Sequence, residues 1–148
     1  WESTELDENG NELGRIDLKF IGFGSCDEHV YFSVECKRLH VTFPNGHFDS
    51  LARQYVEDGM FRYFNGQYAT DLSKGGMLGY VMDGNAEAAK MNIKNAIESR
   101  RWMLHMKSGL GLEPSFITDN NLVKETHHSC PGKTLFILHH IFLPVKCS

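Results

Sequence analysis

Apolar and polar residues alternate along Val30-Tyr31-Phe32-Ser33-Val34-Glu35. A period of two marks a strand with one buried face, because residues two apart project to the same side. The pattern predicts a strand over about 29–41, with Glu35 and Lys37 together on the side opposite Val30, Phe32 and Val34. Residues 12–20 read the same way, with Ile16, Leu18 and Phe20 on one side and Arg15, Asp17 and Lys19 on the other. Residues 1–6 predict a further short strand, joined to the next through the turn Asp7-Glu8-Asn9-Gly10-Asn11. Gly22, Gly24, Ser25 and Asp27 predict the connection to the third strand, so the simplest arrangement is an antiparallel meander. If the second and third strands set both apolar faces on one core, Asp17, Glu35 and Lys37 converge on one polar surface. Two carboxylates and an ammonium so placed can hold a divalent cation beside a phosphate.

Pro44-Asn45-Gly46 breaks the strand pattern, and beyond it Asp49 or Ser50 can cap a helix to about residue 64. Its apolar positions are Leu51, Ala52, Tyr55, Val56, Met60 and Tyr63, and Asn65-Gly66 ends it. Residues 67–76 read as a loop finishing in Gly75-Gly76, followed by a buried strand from Met77 to Met82. Asn85 caps the longest predicted helix, about 86–107, with Ala89, Ile93, Ala96, Ile97 and Leu104 on its buried face. Lys90, Lys94, Arg101 and His105 mark another face, either solvated or able to meet nucleic-acid phosphates. Residues 108–133 read as irregular, and 134–143 as an apolar β-rich segment closed by Pro144. The expectation is one α/β domain over residues 1–148, a central mixed sheet flanked by helices.

Composition narrows the function classes. The 148 residues, 41% of them hydrophobic, can bury a core of their own. A formal net charge of −4 argues against a nonspecific duplex coater, though not against an enzyme with a local positive site. No apolar run is long enough to cross a bilayer and no secretory leader is visible, which predicts no membrane partner. Cys26, Cys36, Cys130 and Cys147 are scattered, with no Cys-x-x-Cys pair, and point to a reducing cytoplasm; two bridges in a secreted chain are the alternative. The Cys36 thiol is expected on the apolar side with Val34, as a structural group rather than a nucleophile. Gly75-Gly76 precedes a strand rather than a helix and so does not match a phosphate loop. His127, His128, Cys130, His139 and His140 raise a zinc-stabilised domain as a further reading, but adjacent histidines fit one tetrahedral site poorly.

The order strand with Asp, strand with Glu-x-Lys, helix, strand, helix resembles the restriction-endonuclease-like, or PD-(D/E)xK, nuclease superfamily. The residues carrying the resemblance are Gly14-Arg15-Ile16-Asp17 and Val34-Glu35-Cys36-Lys37, and it covers roughly residues 1–84. Ile16 stands at the first position of the family's Pro-Asp pair, and Gln54 is followed four residues on by Asp58 rather than the Tyr found in some relatives. The resemblance implies a metal-dependent nuclease that hydrolyses phosphodiester bonds, in DNA before RNA. It implies Mg²⁺, replaceable by Mn²⁺, on Asp17, Glu35 and the main-chain carbonyl of Cys36, with Asp17, Glu35 and Lys37 catalytic. Lys90, Lys94 and Arg101 are the candidate nucleic-acid contacts, and Arg62, Tyr63, Tyr68 and Lys74 can line a substrate groove. The family's first core helix is expected to be lacking, supplied by another chain or removed, because the sequence begins at Trp1. A homodimer is left open. The alternative function is a catalytically silent nuclease-fold module that binds nucleic acid or a protein.

Overall fold

The computed structural model describes residues 3–6, 12–23, 29–65, 73–129 and 135–145. It is an α/β fold built on a mixed sheet. The strands are β1 (Ser3–Leu6), β2 (Glu12–Ile16), β3 (Leu18–Phe23), β4 (His29–Leu39), β5 (Val41–Thr42), β6 (Phe48–Asp49), β7 (Lys74–Val81), β8 (Glu113–Pro114), β9 (Val123–His128) and β10 (Phe136–Pro144). The main sheet runs β3-β4-β7-β10-β9-β8, with β8 a two-residue edge. Its centre is parallel, β4 with β7 and β7 with β10, and antiparallel pairs lie to either side. Helix α1 (Ala52–Glu57) lies between β4 and β7, and α2 (Ala86–Glu98) follows β7.

The expected meander is divided. β1 and β2 pair in a separate two-stranded sheet, while β3 and β4 pair antiparallel in the main one. The predicted strand over 12–20 breaks at Asp17, a bend between β2 and β3. The turn over 7–11 and residues 24–28 lie outside the described residues.

The helices that flank the mixed sheet, α1 and α2, both pack on one face of it. Leu39 of β4, Met77 and Val81 of β7, and Leu138 and Phe142 of β10 form this core with Tyr55 and Val56 of α1 and Ala89, Ile93 and Ile97 of α2. The glycines of β7 admit close neighbours. A Cβ on Gly75 would lie 2.5 Å from a ring carbon of Tyr63, and one on Gly79 would lie 2.7 Å from Leu39 Cδ1. Gly75-Gly76 is therefore room for side chains.

The first helix is shorter than expected. α1 ends at Glu57, and residues Met60–Tyr63 form a 3₁₀ turn. The break falls at Gly59, where a Cβ would lie 2.4 Å from the Tyr55 carbonyl and 2.5 Å from Met77 Cε. Its N-cap is Leu51 in the left-handed region, with φ of 54°, rather than Asp49 or Ser50. The Asp49 carboxylate accepts from Leu51 N–H at 2.9 Å instead. Asn85 does cap α2, accepting from Ala88 N–H at 3.1 Å. α2 ends at Glu98 rather than near 107, yet the turns after it still bury Leu104. β9 lies inside the stretch expected to be irregular.

A chain of hydrogen bonds explains why Leu104 and two histidines are held in the core. The Leu104 carbonyl can only accept, so His128 donates from Nδ1 at 2.7 Å. His128 Nε2 then accepts from the Thr126 hydroxyl at 2.7 Å. Thr126 Oγ1 in turn accepts from His140 Nε2 at 2.9 Å, and His140 Nδ1 accepts from the Tyr55 hydroxyl at 3.0 Å. In this order each proton has one place and both rings are neutral. Burial lowers the pKa of His128 to about 4 and that of His140 to about 3, and nearby histidines push the same way. His139 is also buried. Among the described residues no helix is long and apolar enough to cross a membrane.

The neutral histidines make stability depend on pH. Their folded pKa values lie below the unfolded value of 6.5, so the unfolded chain binds more protons as pH falls. Stability is fully present above about pH 6.5 and is lost on acidification, by up to about 1.4 kcal/mol per pH unit for each histidine. Chemical denaturation between about pH 7 and 5 should show this loss, and His140→Gln should lower its slope by about a third, because burial holds the pKa of His139 down as well. A slope unchanged by His140→Gln contradicts the assignment.

Candidate functional site

The ladder between β3 and β4 ends at Leu18 opposite Val34. Two residues further along β4, the Cys36 N–H points to the same edge with no strand left to receive it. The bend at Asp17 supplies the acceptor: Asp17 Oδ2 takes the Cys36 N–H at 2.7 Å. The broken strand is thus what turns the Asp17 carboxylate onto β4. The N–H and C=O of one strand residue share a side, so the Cys36 carbonyl is aimed at the same edge.

Glu35 and Lys37 project to the face that α1 covers, in line with Leu39. This corrects the expectation of an open polar surface. Glu35 is 1% exposed, and a buried carboxylate needs charged partners. Lys37 Nζ donates to Glu35 Oε1, and Arg62 Nη1 lies 3.2 Å from Oε1 and 3.5 Å from Oε2. Lys37 passes the α1 end at Gly59, where an added Cβ would lie 3.4 Å from Lys37 Cε.

Arg62 is placed by its neighbour. The Tyr63 ring lies against Gly75, and its hydroxyl reaches the Gly76 carbonyl at 2.7 Å and the Ser33 carbonyl at 3.1 Å. This ties the 3₁₀ turn to both β4 and β7. Sequence spacing pointed to Arg62 only as a groove residue. Nothing in a one-dimensional pattern tells that the helix breaks at Gly59 and turns Arg62 inward.

Cys36 lies among these charges. Its thiol is half-buried and its pKa is raised, first by burial, then by Asp17 and Glu35, with Lys37 opposing. A thiol held protonated is a poor nucleophile, in keeping with a structural role.

The other candidates lie elsewhere. Lys90 is buried, with Nζ 2.6 Å from Glu87 Oε1 and 3.1 Å from the Asn121 carbonyl. That engagement removes it from the exposed face expected of it. Lys94 and Arg101 line an open groove of about 760 Å³ with Glu98, Trp102 and Glu113, which shares no residue with the Asp17, Glu35 and Lys37 group. Arg101 is paired there to Glu98 at 3.0 Å. Lys74 opens β7, and Tyr68 lies outside the described residues.

The histidines expected to invite zinc are divided by the sheet. His128 and His140 lie on the helix side, within the hydrogen-bond chain. His127 and His139 lie on the other, near Glu125 at 2.8 and 3.8 Å. Cys130 lies outside the described residues. Among the described residues no group of three or more His, Cys, Asp or Glu side chains has the geometry to hold a metal ion. Asp17 and Glu35 are two carboxylates only, fewer than such a group contains.

The Asp17 hydrogen bond separates its structural role from its charge. Asp17→Asn can keep an oxygen acceptor for the Cys36 N–H and should leave stability within about 1 kcal/mol. Asp17→Ala strands that donor and should cost about 1–3 kcal/mol by chemical denaturation.

No family model, curated protein or solved structure matches this chain.

Proposed function

We propose that this chain is a Mg²⁺-dependent nuclease that hydrolyses phosphodiester bonds, in DNA before RNA, with Asp17, Glu35 and Lys37 at its centre. The observation that carries this reading is the gathering of Asp17, Glu35 and Lys37 around one peptide unit, Cys36. The order of β4, α1, β7 and α2, with β4 and β7 parallel, supports a restriction-endonuclease-like core. The all-oxygen donor set of Asp17, Glu35 and the Cys36 carbonyl suits a hard divalent cation, with Mn²⁺ able to replace Mg²⁺. A cation held there lowers the pKa of bound water and stabilises charge developing on phosphate oxygens. Lys37 has the complementary work. Its Nζ, on Glu35 and beside the end of α1, would orient the attacking water and offset charge on the phosphate. On this reading nucleic acid is the partner, and the scattered cysteines favour a reducing cytoplasm.

One observation favours a second reading, a silent nuclease-fold module that binds nucleic acid or protein. Both Glu35 oxygens already lie near cations, which compete with any metal.

Lys37→Ala separates the two. It leaves Glu35 paired with Arg62, so thermal stability should be little changed, while Mg²⁺-dependent cleavage of DNA should fall by on the order of 10²-fold or more. Cleavage by Lys37→Ala at the wild-type rate contradicts the nuclease assignment, and absence of cleavage in the wild-type chain favours the binding module.

A further inference from the structure

Resting on the nuclease reading, we infer that Arg62 is the phosphate-binding arm of the site, leaving Glu35 for a phosphate oxygen when a divalent cation arrives. The charges support the exchange. Among the described residues, the charges of Asp17 and Glu35 are matched by those of Lys37 and Arg62 around one segment of β4. A divalent cation added to that set leaves two uncompensated positive charges in a buried place, which is costly. A phosphodiester anion offsets one of them, and Arg62, moved from Glu35 onto the outer oxygens of that anion, carries the other to the exposed edge of the cluster. Metal and nucleic acid then bind with mutual reinforcement, and Arg62 is the coupling element.

The geometry allows the motion. Glu35 is 1% exposed, but the Arg62 side chain is 34% exposed, so it spans the cluster and the surface. Its backbone need not move, because Tyr63 next to it is anchored on the Ser33 and Gly76 carbonyls. Its contact with Glu35 Oε2 is 3.5 Å, at the limit of a hydrogen bond. A guanidinium forms paired hydrogen bonds with phosphate oxygens as it does with carboxylates, so the contact it would lose has a chemical equivalent on the substrate.

Isothermal titration with Mn²⁺ tests the exchange, alone and with a phosphorothioate DNA duplex that resists hydrolysis. Wild type should bind Mn²⁺ weakly alone and about tenfold or more tightly with the duplex. Arg62→Gln should bind Mn²⁺ alone about tenfold tighter than wild type and lose most of the gain from the duplex. Arg62→Lys keeps the charge and should keep much of the wild-type coupling. Equal Mn²⁺ affinity in wild type and Arg62→Gln, with the same gain from the duplex, overturns the inference and leaves the nuclease reading standing. Absence of Mn²⁺ binding in every variant overturns both. If Arg62→Gln fails to fold by circular dichroism, the wild-type measurement decides: no tightening by the duplex overturns the exchange.

Discussion

Glu35 is carried into the face of the sheet that α1 covers, and an anionic side chain there must be met by cations. Lys37 meets it from two residues along the same strand, and Arg62 from the 3₁₀ turn after α1. The pairing constrains much around it. The helix must end at Gly59 so that the chain can double back over β4 and β7, and Tyr63 must be seated on the glycines of β7 so that Arg62 arrives at the right height. Removing both cations would leave a buried carboxylate with no charge to meet it, at a cost of about 3–5 kcal/mol, enough to make the cluster a structural element whatever its chemistry.

The same face holds the chain from Tyr55 to Leu104, and the two polar systems differ in kind. One is ionic and reaches the surface through Arg62. The other is neutral, buried and directional, and it joins α1, β9, β10 and the turns after α2. Tyr55 packs beside Gly79, and Tyr63 beside Gly75, so the glycines of β7 serve both systems. A compact core thus carries several polar groups because each has a specific partner, not because the interior is permissive.

Much of this was legible from period and turn chemistry. The alternation around Val34 and Glu35 placed β4, the Asn85 cap placed the start of α2, and the helical spacing of Tyr55, Val56, Met60 and Tyr63 identified four buried side chains even though the helix itself stops early. What escaped was tertiary. A period of two says that Glu35 and Lys37 share a side, but not that a helix lies over it. Residues 12–20 alternate well enough to read as one strand, while the hydrogen bond from Cys36 to Asp17 belongs to a break in it. Likewise, Lys90 sits on a charged helical face by spacing, yet the Asn121 carbonyl and Glu87 draw it into cover. β9 was hidden because Lys124, Glu125 and two histidines look like a polar loop until their partners on β10 are known.

The central claim is that Asp17, Glu35 and the Cys36 carbonyl form one cation site. Anomalous scattering from a crystal of the chain soaked in Mn²⁺ tests it most directly. The account predicts a peak bounded by those three groups, with Arg62 turned away from Glu35. A peak only beside Glu125, His127 and His139, or none at Asp17 and Glu35, would contradict it.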